Sequence, residues 1–290
     1  MPISEPNSRL WLEACRRMVD GIERMLASLP TTLDRAVVVG DGAGGDRTLV
    51  IDEAAEQIVF DELQKIADSG VSFTAIGEER GSVTLGEGEP EFLVVIDPID
   101  GSLNAKRAGG PCALSVAVAT GPTIADVFFG FVHDLHSGEE WVAEQGGGAA
   151  LNGKHLDPSV PARFRETGHL EVMGIESADP RRLVHAADAL TEATYRVRAL
   201  GAIAVTLCQV AAGRYDAMLS LKKCRAVDAA AAQLIVREAG GEVAFHGLPG
   251  GPLSAPLDLD GHAPVTAGRC EDSLAVAIRV SERTAASASA

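Results

Sequence analysis

The sequence predicts an α/β protein in two unlike halves, an α+β N-terminal half and an α/β C-terminal half. Three observations point to this. Helix-periodic apolar residues open the chain, a run of short β-prone segments follows, and strands then alternate with helices. The expected division is 1–158 and 159–283, with the small, polar stretch 284–290 as a disordered tail.

Taken in order, Trp11, Ala14, Cys15, Met18, Ile22, Met25, Leu26 and Leu29 form one stripe on a helix over Leu10–Leu29. Ala36–Val39 is a short β-prone run before the glycine-rich loop G-D-G-A-G-G-D at 40–46. A second stripe, through Ala55, Ile58, Val59, Leu63 and Ile66, predicts a helix over Glu53–Ala67 with Asp52 at its N-cap. Phe73–Ile76 reads as a strand ending in G-E-E-R, and Phe92–Ile96 as a buried strand ending at Asp97. Further strands are expected at Ala113–Ala119, Asp126–His133 and Glu140–Ala143, with Asn152-Gly153 as a tight hairpin turn. Beyond Pro158 and Pro161, Leu170–Gly174, Tyr195–Leu200, Ala217–Leu221 and Val265–Ala267 read as strands. Pro180–Leu190, Ala202–Ala212, Asp228–Ala239 and Cys270–Arg283 read as helices, the third closed by Gly240-Gly241.

At 290 residues the chain has ample length for a core. Its net charge of −16 argues against non-specific nucleic-acid binding and makes any phosphate-handling role depend on cations. The 5 cysteines are scattered, odd in number and without a C-x-x-C pair, which fits reduced thiols in a cytoplasm. The opening M-P-I-S-E-P-N-S has no signal pattern, and Thr120, Gly121, Pro122 and Asp126 interrupt the one apolar run near spanning length. The expectation is a cytoplasmic protein with neither nucleic-acid nor membrane partners.

The chemistry centres on F-L-V-V-I-D-P-I-D-G-S-L-N at Phe92–Asn104. Pro98 holds Asp97 extended, so the strand delivers one carboxylate, and Asp100 follows on a stiff turn. With the carbonyl of Ile99 between them, they offer three oxygens to one hard cation, Mg²⁺ or Mn²⁺ before zinc. Glu78 after a strand and Asp228 at a helix start are further candidates; alone, each has an ordinary turn or capping reading. Together they crowd like charges that a cation must separate. Two such ions about 4 Å apart hold a phosphate ester and acidify a water. Gly101-Ser102-Leu103 can open a helix whose N–H groups face the phosphate.

Rival motifs are weaker. Gly40-x-Gly42-x-x-Gly45 matches a dinucleotide fingerprint in letters, but the helix begins well past it, and Asp41 and Asp46 repel a pyrophosphate. The spacing of Asp97 and Asp100, with Pro98 between, favours metal ligation over an aspartyl nucleophile. His133 and His136 lack a third zinc partner, and no cysteine has a paired His.

G-E-E at Gly77–Glu79, D-P-I-D-G-S at Asp97–Ser102 and V-D-A-A-A-A at Val227–Ala232, with I-V-R-E-A-G-G behind it, resemble the inositol monophosphatase family. That family belongs to the lithium-sensitive, magnesium-dependent phosphatases that include fructose-1,6-bisphosphatase. Gly148–Lys154 and the A-P-V-T-A-G at 263–268 are similar too, so the resemblance spans most of the chain. It implies a layered αβαβα sandwich, usually a homodimer, whose first half binds metal and phosphate and whose second completes the substrate site. It implies that Glu78, Asp97, the carbonyl of Ile99, Asp100 and Asp228 hold two or three Mg²⁺ ions, with Mn²⁺ possible. Asp52 matches the acid that helps hold the attacking water with a third metal ion, and Glu78 and Ser102, where the family usually has Thr, match the groups that polarise that water. The implied substrate side comprises Asp100, Gly101, Ser102, Arg198, Gly201, Ala202 and Arg225.

The departures bear on the substrate. The acid that grips an inositol hydroxyl in animal-type members falls on Leu221, and the Trp before the last metal Asp is Val227. Lys222, Lys223 and Arg225 are either ordinary surface charges or a clamp for a second phosphate. This moves the expectation towards archaeal-type members, which act on both inositol phosphate and fructose bisphosphate. The implied reaction is hydrolysis of a small sugar or polyol phosphate by in-line attack of metal-activated water. A 3′-nucleotide bisphosphate or NADP phosphatase is the alternative, weakened by a chain with 2 Trp and 2 Tyr. A non-catalytic phosphometabolite-binding relative is the other, weakened because every matched ligand is kept.

Overall fold

In the computed structural model, which describes residues 5–41 and 47–289, the first half contains the helices α1 (Glu5–Ser28), α2 (Thr32–Arg35), α3 (Val50–Asp68) and α4 (Ser102–Arg107). Its strands are β1 (Val38–Asp41), β2 (Arg47–Leu49), β3 (Phe73–Gly77), β4 (Gly81–Leu85), β5 (Phe92–Asp100), β6 (Ala113–Ala119), β7 (Val127–Asp134), β8 (Glu139–Glu144), β9 (Gly148–Leu151) and β10 (Lys154–His155). The second half has β11 (Leu170–Glu176), α5 (Pro180–Ala193), β12 (Thr194–Arg198), α6 (Ile203–Ala211), β13 (Ala217–Ser220), α7 (Ala226–Glu238), β14 (Glu242–Phe245), β15 (Val265–Gly268) and α8 (Glu271–Ser289). Of the glycine-rich loop at 40–46, residues 42–46, with most of the fingerprint, lie outside the described residues.

An eight-stranded sheet runs β10-β9-β8-β7-β6-β5-β3-β4, and a five-stranded sheet runs β12-β11-β13-β15-β14. The middle strands of the large sheet, β5, β6 and β7, are covered on both faces, which is why they read as apolar runs. On β5 and β6, Val94, Ile96, Leu114, Val116 and Val118 pack into one cluster with α1 and α3. Val95, Ala113, Ala117 and Ala119 point the other way, into a cluster with α6 and α7. That central cluster continues into Met218, Val243, Phe245, Val265 and Ala267 of the small sheet. The outer face of the small sheet carries Met173, Ile175 and Leu219 against Ala186, Leu190, Ala277 and Val280 of α5 and α8. The result is a layered αβαβα sandwich. The chain crosses between sheets after His155, yet the two halves share the central core.

α7 has no polar stripe because it is the middle layer: every residue from Ala226 to Val236 is buried. Its alanines lie close on β7, where a Cβ on Gly130 would sit 2.6 Å from the carbonyl oxygen of Ala231. Gly130→Ala is therefore expected to cost about 1–3 kcal/mol, as overpacking does. An unchanged urea midpoint would contradict this seating of α7.

Several details differ from expectation. α2, β2, β4 and β14 were not foreseen; β4 is a half-exposed edge strand, without an apolar run. α8 continues as helix to Ser289, through the stretch predicted as an irregular tail, with Ser281 and Thr284 buried. β5 does not end at Asp97 but pairs with β6 as far as Asp100, through a register shift. The Asn152-Gly153 turn is as expected, with φ of 50° and 73°. No described helix is long and apolar enough to cross a membrane.

Candidate metal and phosphate site

β3 and β5 are parallel neighbours, so their C-terminal ends bring Glu78 and Asp97 to the same edge of the sheet. The register shift on β5 then decides where Asp100 points. In a regular strand, residues three apart face opposite sides. Here Asp97 pairs with Ser115 and Asp100 with Ala113, so one extra residue is accommodated on β5 and both carboxylates return to one side. Asp228 arrives from the first turn of α7. Oxygens of Asp97, Asp100 and Asp228 all lie within 4.8 Å of one another, and all three residues are buried.

Each acid is also tied to backbone. Asp97 Oδ1 accepts from Ile99 N–H at 2.9 Å. Asp100 takes Ile203 N–H at 3.3 Å and Ala204 N–H at 2.7 Å, so it caps α6, whose own N-cap is an alanine. Asp52 was expected at an N-cap, which the structure corrects, and capping was the ordinary alternative for Asp228. Leu49 and Arg225 are the N-caps, and each Asp sits in the first turn with its carboxylate reaching back. Asp52 accepts Leu49 N–H at 3.2 Å and Asp228 accepts Arg225 N–H at 3.4 Å.

The electrostatics are those of a cation site. Burial, then the charges of Glu78, Asp100 and Asp228, hold the Asp97 carboxyl well above the usual range. Burial and then Asp228 do the same to Asp100. Glu78 is raised by burial, against the pull of Arg225. Asp52 is pushed up to about 7 by burial, with Glu79 and Glu78 adding to the shift. Its Oδ1 is buried without a hydrogen-bond partner. Buried, clustered hard oxygens, with an orphaned carboxylate oxygen beside them, fit divalent cations.

Ser102 opens α4 beside this cluster and donates its hydroxyl to the carbonyl of Ile99 at 3.1 Å. Gly101, at φ 88°, is required there: a Cβ would meet the carbonyl oxygens of Gly201 and Pro111 at 3.0 Å and the Ala202 side chain at 3.1 Å. That contact brings Gly101 against Gly201 and Ala202. A cleft of about 1010 Å³ opens over these groups, lined by Asp52, Glu78, Asp97, Asp100, Ser102, Gly201 and Asp228.

The two basic candidates stand differently. Arg198 is on the edge strand β12, outside the cleft lining, and donates to the Val197 carbonyl. Arg225 lines the cleft but is engaged by the acids themselves, at 2.8 Å to Glu78 Oε1 and 3.2 Å to Asp228 Oδ1. Leu221 is buried in the outer cluster of the small sheet.

Sequence reasoning missed two buried acids. Glu56 of α3 accepts the N–H groups of Glu79 and Arg80 at 3.2 and 3.3 Å, pinning the turn that presents Glu78. Glu176 ends β11 at the cleft wall. The signal for Glu176 was a carboxylate closing an apolar run, as at Asp97, but the predicted strand stopped at Gly174.

Carboxylates delivered by strand ends to a cleft of this layered sandwich define a phosphoric monoester hydrolase of the metal-dependent kind. The chain belongs to the inositol monophosphatase family, whose profile matches residues 17–259. It is 34% identical over 282 residues to the fructose-1,6-bisphosphatase/inositol-1-monophosphatase of Methanothermobacter thermautotrophicus, covering 93% of this chain and 96% of the relative. It is 27% identical over 247 residues to the bifunctional NADP phosphatase/NAD kinase of Methanococcus maripaludis, covering 80% of this chain and 43% of the relative. The crystal structure of an inositol monophosphatase-fructose 1,6 bisphosphatase superposes with a TM-score of 0.77 at 24% identity, over 93% of this chain and 99% of that one; it supports the fold.

Proposed function

We propose that this chain hydrolyses fructose-1,6-bisphosphate and inositol-1-phosphate, with Glu78, Asp97, the Ile99 carbonyl, Asp100 and Asp228 holding Mg²⁺ or Mn²⁺. The observation that carries this is the crowding of Asp97, Asp100 and Asp228 oxygens within 4.8 Å beneath the cleft. Bound divalent cations supply charge against the phosphate and acidify a water. The chain's own groups do the rest. Asp52 Oδ1, buried without a hydrogen-bond partner, is the atom placed to accept a proton from the attacking water. Ser102 orients that water through its hydroxyl. The backbone at Gly101, Gly201 and Ala202 supports the sugar or polyol ring.

Lys106, Arg182 and Lys222 line the cleft and draw an anionic substrate to an otherwise acidic protein. Arg182, Lys222 and Arg225, all in the cleft lining, are the candidates for a second phosphate. Arg198 lies on the edge strand β12, outside the cleft lining. The proposal extends to a homodimer working in the cytoplasm; Cys15, Cys112, Cys208, Cys224 and Cys270 are all free thiols.

An NADP phosphatase reading draws on the Methanococcus relative. Against it, no aromatic side chain is found in the cleft lining among the described residues, so a base has nothing to stack on. Phosphate release with Mg²⁺ from inositol-1-phosphate, fructose-1,6-bisphosphate, a 3′,5′-nucleotide bisphosphate and NADP separates the readings. The first two are expected to exceed the others by at least about tenfold in kcat/KM. A preference for NADP would overturn the proposal.

A further inference from the structure

Glu176 is 2% exposed at the end of β11, and nothing in the chemistry above uses it. Both carboxylate oxygens are committed to one segment. Oε1 accepts Leu200 N–H at 2.9 Å, Gly201 N–H at 3.2 Å and the Thr206 hydroxyl at 2.7 Å, while Oε2 accepts Gly201 N–H at 3.0 Å. All three partners are donors, so the site calls for an acceptor-only group, and burying a carboxylate is costly without such partners.

The same segment is gripped elsewhere. Asn104 Nδ2 donates to the Leu200 carbonyl at 2.7 Å and to the Pro111 carbonyl at 2.7 Å. Asp100 takes the amides of Ile203 and Ala204. Gly201 is in the left-handed region at φ 79°, and a Cβ there would lie 3.1 Å from Asn104 Nδ2. Leu200, Gly201 and Ile203 form part of the cleft wall. Immediately after Glu176, Ser177 adopts φ 54°, an uncommon conformation for a side-chain-bearing residue, and it too lines the cleft.

We propose that Glu176 is a positioning residue for substrate: by holding the amides of Leu200 and Gly201 it sets the backbone wall on which the sugar or polyol ring rests. This rests on the phosphomonoesterase reading. The amides it takes lie ahead of α6, which Asp100 caps; a buried carboxylate that takes two consecutive amides and a hydroxyl fixes the orientation of a peptide plane.

Glu176→Gln tests it. The amide keeps the shape but turns one oxygen into a donor facing donors. The expected result, with fructose-1,6-bisphosphate and Mg²⁺, is a KM raised about tenfold with kcat within about threefold, and Mn²⁺ binding by calorimetry unchanged. Thr206→Val leaves the carboxylate on both amides and is expected to raise KM by only about threefold; it answers the question if Glu176→Gln does not fold. An unchanged KM with a lowered melting temperature would make Glu176 a structural clip and overturn the inference. Joint loss of kcat and Mn²⁺ binding would also overturn it, since the effect would then run through Asp100. A wild type that releases no phosphate from any substrate overturns the phosphatase reading and this inference together; an active wild type beside a variant of unchanged KM overturns the inference alone.

Discussion

Asp97→Asn is expected to lower kcat by at least about three decades while the protein remains folded. Removing one charge from a divalent-cation site forfeits several kcal/mol of transition-state stabilisation, and each 1.4 kcal/mol is about tenfold. The fold should survive because the one backbone bond made by Asp97, from Ile99 N–H to Oδ1, can still be made to an amide oxygen. Stability should move the other way. Burial and its acidic neighbours raise the Asp97 pKa in the folded state, so the folded protein binds this proton more tightly than the unfolded chain does. Ionising it then costs stability, increasingly as pH rises from the ordinary aspartate range through the folded pKa. In chelator at pH 7–8 the Asn variant should melt no lower than wild type, with the gap closing towards pH 4. A folded variant that keeps substantial activity would sink the catalytic role of the cluster.

Arg269→Met is expected to cost about 3–5 kcal/mol without touching the cleft. The Arg269 guanidinium is buried, at 3% exposure, and its partners are all carbonyls. Nε and Nη2 donate to the Val160 carbonyl at 3.1 and 2.9 Å, and Nη1 to those of Ala211 and Ala239 at 3.1 and 3.0 Å. Ala211 and Ala239 stand at the C-terminal ends of α6 and α7, where a cation also meets the negative ends of the helix dipoles. One side chain thus ties the inter-sheet crossing to both middle-layer helices. Methionine fills much of the volume but strands several buried acceptors. A fall in melting temperature of roughly 10 °C is expected, with near-normal kcat well below it. A fall under about 3 °C would show that solvent can replace the guanidinium.

Most of the layered fold was readable because its signals are local. A strand buried on both faces is an apolar run, and a helix beside a sheet shows its stripe. What escaped depends on pairing across the chain. The bulge that turns Asp97 and Asp100 to one side is a relation between β5 and β6, and the sequence shows only that Pro98 lies between them. The clamp at Glu176 joins β11 to residues 200–206, and Arg269 bonds to carbonyls, which every residue has. The candidate ligands could be picked out because carboxylates at strand ends are unusual. The basic residues could not be placed from spacing: Arg225 turned to Glu78 and Asp228, and Arg198 fell on an edge strand.

Titration of Mn²⁺ into the wild-type protein and Asp97→Asn, followed by calorimetry, tests the central claim most directly. Saturable binding in the wild type that is weakened at least about tenfold, or reduced in stoichiometry, in the variant is the expected result. Equal binding by the two proteins, or none by the wild type, would contradict it.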